Sequence, residues 1–166
     1  MVEAMPRYEM KQKLWAFKDD FVIRDDSNVE AFHVRSKVWS WGHQLTFEDL
    51  SGNELALIKQ KLASWGPTYE IEQGGATVAT VKKKLMTFKP KFEIELADGS
   101  QLDIDGNFWD REYTIARNGT QVAQVSMQWF TMSDTYGIDV ADGEDVVMAL
   151  ALCVVIDMVC HADEKS

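Results

Sequence analysis

Seven lysines fall between residues 59 and 91, namely Lys59, Lys61, Lys82, Lys83, Lys84, Lys89 and Lys91, against two acids, Glu70 and Glu72. Clustered ammonium groups attract anions. Whether they act together depends on which way each points. In Pro90 to Leu96 the apolar positions are Phe92, Ile94 and Leu96, so strand parity sends Lys89 and Lys91 away from the core. The same rule points Ala79 and Val81 inward and Lys82 and Lys84 outward, and puts Lys59 and Lys61 on one face of the preceding strand. With neighbouring hairpins adjacent in space, Lys59, Lys61, Lys82, Lys84, Lys89 and Lys91 form one anion-attracting surface. The competing reading is that outward lysines serve solubility and discourage edge pairing.

Other chemistry is sparsely represented. The chain has no Gly-x-Ser-x-Gly elbow, dinucleotide fingerprint, phosphate-binding loop or His-Glu-x-x-His. His33, His43 and His161 are widely separated, and no paired ligand spacing suggests zinc. Asp103-Ile-Asp105-Gly-Asn107 resembles a calcium loop only superficially; its alternation suits a strand running into a turn. The expectation is a non-enzymatic protein with no metal and no cofactor. Cys153 and Cys160 lie seven apart in a helical segment, roughly 10 Å along its axis and too far to bridge. With no secretory leader evident, a reducing, cytoplasmic setting is the default, and Asn118-Gly119-Thr120 reads as a hairpin turn instead of a glycosylation site.

The elements that carry these residues belong to one domain spanning 1–166. Its 166 residues are 46% hydrophobic, enough for a sizeable core and too apolar for a disordered chain. The net charge of −10 disfavours nucleic acid as a partner. That charge is unevenly spread: −3 over residues 1–58, +5 over 59–91 and −12 over 92–166.

A strand, turn, strand unit recurs about every two dozen residues, beginning at Phe21, Leu45, Tyr69, Phe92 and Tyr113. The turns supply Gly, Asn or Asp, except that Ser27-Asn28 stands where a glycine turn is expected. Ser40-Trp41-Gly42 and Ser64-Trp65-Gly66 repeat 24 residues apart. An opening strand near Lys11 to Phe17 and a last one near Thr135 to Val140 raise the count to about twelve, with no crossover helix between them. So many antiparallel strands must curl, split or close. Trp39, Trp41, Trp65, Trp109 and Trp129 fall near strand ends, where they either plug the barrel or touch a membrane interface or partner.

Val146 to Ile156 is an unbroken apolar run ending at Asp157. A helix apolar on every side must be surrounded on every side. It is also well short of the ~20 residues that span a bilayer, so a closed sheet wrapped around it is expected. Ala149, Ala151 and Cys153 keep the helix slim, Asp142 is the expected N-cap, and Asp157 is assigned a hydrogen-bonded structural role near the barrel mouth.

Tyr8-Glu-Met-Lys-Gln-Lys-Leu14, Leu45-Thr-Phe-Glu-Asp-Leu-Ser-Gly-Asn53, Pro67-Thr-Tyr-Glu-Ile71, Val81-Lys-Lys-Lys-Leu85, Phe88-Lys-Pro-Lys-Phe92, Asp110-Arg-Glu-Tyr113 and Tyr136-Gly-Ile-Asp139 through Asp157 resemble, in order, the LURP-one-related family. That family is related to the Tubby C-terminal domain and to phospholipid scramblases. The resemblance implies a mainly β fold: a closed antiparallel barrel of about twelve strands threaded by a hydrophobic C-terminal α-helix. It also implies an anionic phospholipid head group, or another phosphorylated small ligand, as what the lysines recognise, with contact at the membrane periphery and no transmembrane span. A protein-interaction scaffold and a scramblase-like lipid-associated protein are the competing functional classes.

Overall fold

The computed structural model describes residues 6–11, 20–37, 44–61, 66–84, 88, 91–127 and 135–161. Twelve strands run β1 Arg7–Lys11, β2 Phe21–Asp25, β3 Glu30–Ser36, β4 Gln44–Glu48, β5 Glu54–Gln60, β6 Thr68–Gln73, β7 Ala76–Lys84, β8 Lys91–Leu96, β9 Gln101–Asn107, β10 Glu112–Arg117, β11 Thr120–Ser126 and β12 Thr135–Val140. One helix follows, α1 Val146–His161. The strands form a closed antiparallel barrel in which each pairs with its chain neighbours and β1 pairs with β12. Arg7 fastens that closure, its Nε and Nη2 donating to the two carboxylate oxygens of Asp139 at 2.7 and 3.0 Å.

The 24-residue repeat has a structural counterpart. Register shifts interrupt the hairpins after Ile23, Phe47 and Ile71, three wholly buried residues 24 apart. Each bulge re-aims the strand just before its turn. Two of those turns are built alike: Asp25 Oδ1 accepts from the N–H groups of Ser27 and Val29, and Asp49 Oδ1 accepts from those of Ser51 and Asn53. In the first hairpin Asn28 takes φ +62°, the left-handed conformation a glycine would otherwise supply.

The first strand lies earlier than its sequence pattern suggests, at Arg7–Lys11; residues 12–17 lie outside those described. Tyr8 and Met10 are too brief an alternation to have marked it. The last strand is Thr135–Val140, as expected.

The helix threads the barrel and packs on β5, β6, β7, β11 and β12. Every residue from Met148 to Cys160 is buried, so burial extends past Asp157. Its N-cap is Asp145, not Asp142: Asp145 Oδ1 accepts the Met148 N–H at 3.0 Å, and its carbonyl accepts the Ala149 N–H. The cap must sit immediately before the first helical residue to reach the free N–H groups of the first turn. Cys153 and Cys160 are free thiols, and burial pushes both up to about 12. No described helix is long and apolar enough to cross a membrane.

Candidate functional site

Strand parity holds across the lysine-bearing wall. Ala79 and Val81 are buried beneath exposed Lys82 and Lys84, and Ile94 and Leu96 are buried while Lys91 is exposed. The register carries Lys59 opposite Glu70, Lys82 opposite Glu93 and Lys84 opposite Lys91. Lys89 lies outside the described residues.

The wall is not uniformly basic. Lys59 pairs with Glu72 at 3.0 Å, Lys61 with Glu70 at 2.9 Å, and Lys84 meets Glu93 at 3.7 Å. Columns of lysine on β5 and β7 alternate with columns of glutamate on β6 and β8. Lys82 and Lys91 make no ion pair with any described residue. Positive charge free to meet a ligand is thus concentrated where β7 ends and β8 begins.

The barrel wall opens at that point. β7 and β8 remain paired down to Lys84 and Lys91, and β9 and β10 remain paired to Asn107 and Glu112. Between β8 and β9 the described pairs are only Ile94 with Leu102 and Glu95 with Gln101. Past these pairs the strands diverge, and a cavity of about 400 Å³ occupies the gap, lined by Phe88, Lys91, Ile104, Gly106, Phe108 and Trp109 with Asp105 and Asn107. A smaller one of about 210 Å³ adjoins it, where Lys84, Phe92 and Asp103 join the lining.

The floor of this cleft is aromatic. Phe92 meets Phe108 edge-on with ring centroids 5.2 Å apart, and Phe108 leans on Tyr113 at 5.3 Å. Phe88 is fully exposed and Trp109 is 47% exposed, so an apolar surface faces solvent beside two ammonium groups. Gly106 lets the β9 and β10 backbones meet here: its φ is +132°, and an added Cβ would strike the Glu112 carbonyl oxygen and lie 2.6 Å from Tyr113 Cα. Asp103 and Asp105 are exposed on β9, a strand that runs into the 108–111 turn as its alternation suggests. Among the described residues no three His, Cys, Asp or Glu converge as a metal site.

Below the cleft, that turn is tied to the helix. Arg111, at φ +53°, sends its buried guanidinium to Asp157, and its head lies 5.4 Å from the centre of the Tyr136 ring. Burial raises the Tyr113 and Tyr136 hydroxyls well above the ordinary phenol value. Asp157 thereby has a paired structural role at the barrel mouth.

Trp39, Trp41, Trp65 and Trp129 lie outside the described residues, and Trp109 is the member of that set placed at the cleft. Sequence parity found the lysines but not the cleft. Its one local signal was the crowding of Phe88, Phe92, Phe108 and Trp109 at strand ends.

Matched to protein families, residues 7–157 fit the LURP-one-related description. The chain belongs to the LURP-one-related family. The same fold is seen in an X-ray structure of an Arabidopsis thaliana protein, which is 17% identical and superposes with a TM-score of 0.70 over 95% of this chain and 92% of that one. That likeness establishes the fold. No curated protein matches the chain. Membership in the LURP-one-related family and the barrel fold suggest a ligand-binding or interaction module.

Proposed function

We propose that the protein binds an anionic ligand with an apolar portion, an anionic phospholipid being the preferred member of that class, at the cleft between β8 and β9. The observation that carries this reading is the juxtaposition of Lys84 and Lys91 with Phe88, Phe92, Phe108 and Trp109 around one opening. A pocket that is mainly apolar with a few fixed charges favours a ligand of matching halves. The ammonium groups would meet phosphate oxygens, and the aromatic floor would take a glyceride or acyl segment. Lys82, which makes no ion pair with a described residue, adds a further cation on the same strand. Lys59 and Lys61 contribute less, because they do not line the cleft and sit closer to Glu72 and Glu70, at 3.0 and 2.9 Å, than Lys84 sits to Glu93 at 3.7 Å.

Vesicle co-sedimentation tests the proposal. At low salt the protein should pellet with phosphatidylcholine vesicles containing phosphatidylserine and remain in the supernatant with phosphatidylcholine alone. Lys84→Glu with Lys91→Glu should abolish pelleting without lowering the melting temperature. Equal behaviour of wild type and double variant, or no pelleting with either vesicle, overturns it.

A further inference from the structure

Where β8 parts from β9, backbone groups are left without a strand partner. Leu96 turns both its N–H and its carbonyl toward β9, donating to the Ser100 carbonyl at 2.8 Å and accepting from the Gly99 N–H, whereas the Ala97 N–H turns the other way, to the Val78 carbonyl. In an antiparallel ladder the N–H and C=O of one residue point to the same side, and that side alternates along the strand. Ile94 and Phe92 therefore also turn toward β9, and Leu102 and Ile104 toward β8. Ile94 pairs with Leu102, but Phe92 and Ile104, next in that register, do not pair with each other. Nor does β7 serve Phe92, because Lys83 beside it donates its N–H away, to the Pro67 carbonyl at 3.0 Å. The N–H and C=O groups of Phe92 and Ile104 thus look into the cavity of about 210 Å³ that these two residues help to line. β1 and β2 also share only two described pairs, but there Met10 and Ile23 are wholly buried, whereas Phe92 and Ile104 are half-buried at the cleft.

We infer that the parted edges of β8 and β9 take an extended segment of a partner protein by strand addition, with apolar residues at alternate positions and an acidic residue between them. An unpaired strand edge is a template for another chain. A phosphate accepts from N–H groups and offers nothing to carbonyls, whereas a peptide supplies both donors and acceptors at strand spacing. Side chains of an added strand alternate between the two faces of the sheet. Those turned inward would meet Phe92, Ile104 and Phe108. Those turned outward would enter the row in which Lys84 lies opposite Lys91, a like-charge pair that a neighbouring carboxylate relieves. Lys91 makes no ion pair with a described residue, and Asp105 on the other lip of the cleft directs an entering acid to the β8 side. The inference goes beyond the lipid reading: backbone groups carry it instead of ammonium groups, and a peptide and a lipid would exclude each other from the opening.

A pentapeptide blocked at both ends, with valine at the first, third and fifth positions and glutamate at the second and fourth, tests strand addition. In a titration followed by amide NMR, the Phe92 and Ile104 resonances should shift saturably and their exchange with solvent should slow. The same peptide N-methylated throughout keeps its side chains and loses its donors, so it should bind at least about tenfold more weakly. A version with lysine in place of both glutamates should also bind more weakly. Equal affinity of the methylated peptide, unmoved Phe92 and Ile104 resonances at millimolar peptide, or preference for the lysine version overturns the inference. Vesicle pelleting of the peptide-free protein is read apart from this titration, so the loss of either proposal leaves the other standing.

Discussion

Arg111 Nε donates to Asp157 Oδ1 at 2.7 Å, joining the β9–β10 turn to the last third of the central helix with both side chains withdrawn from solvent. The two are 46 residues apart in sequence. Removing either partner leaves a buried charge uncompensated, which costs about 3–5 kcal/mol. Arg111→Met and Asp157→Leu should each lower the urea midpoint sharply, and the double variant should recover much of the loss. If the double variant is as unstable as the worse single one, the pair is not what couples turn to helix.

Leu152 sits wholly buried inside the barrel. A carboxylate there would cost several kcal/mol, so Leu152→Asp should not fold, and Leu152→Ala should fold with a loss of about 2–5 kcal/mol. A soluble Leu152→Asp protein with a cooperative melt would contradict the threaded-barrel architecture.

Gly106 has no room for a side chain and a φ that side chains rarely adopt. Gly106→Ala should therefore destabilise by more than about 1 kcal/mol, against a small effect for an exposed substitution such as Lys82→Ala. Chemical denaturation of the two variants side by side provides the comparison. Near-equal midpoints would mean the β9–β10 backbones can part at little cost.

Alkaline pH should unfold the protein early. Burial pushes Cys153, Cys160 and Tyr69 up to about 12, from ordinary values of 9 for the thiols and 10 for the phenol. The folded state holds these protons after the unfolded chain has released them. The associated stability is complete below about pH 9 and is lost as pH rises from there through the folded values near 12. A urea midpoint that is level from pH 7 to 8.5 and falls steadily above 9 is the expected profile. The same burial predicts that neither thiol reacts with an aromatic disulfide reagent until the protein unfolds.

Much of this architecture was legible along the chain because its signals are local. Alternation assigned Ala79, Val81, Ile94 and Leu96 inward and Lys82, Lys84 and Lys91 outward, and a single run from Val146 marked the buried helix. Errors arose where the pattern was short or the choice lay between neighbours: Tyr8 and Met10 were too few to place β1, and Asp145 instead of Asp142 stood next to the helix start.

The sequence by itself determined the hairpins, the side each residue faces and the need to enclose a helix apolar on all sides, because these follow from pleat period and from water's rejection of apolar surface. Only the tertiary structure decided that Lys59 and Lys61 face Glu72 and Glu70, that β8 parts from β9 on the Lys91 side of Ile94, and that Arg111 reaches Asp157. Those relationships depend on register and on how the closed wall meets the helix. They arise between segments distant along the chain, so no local periodicity encodes them.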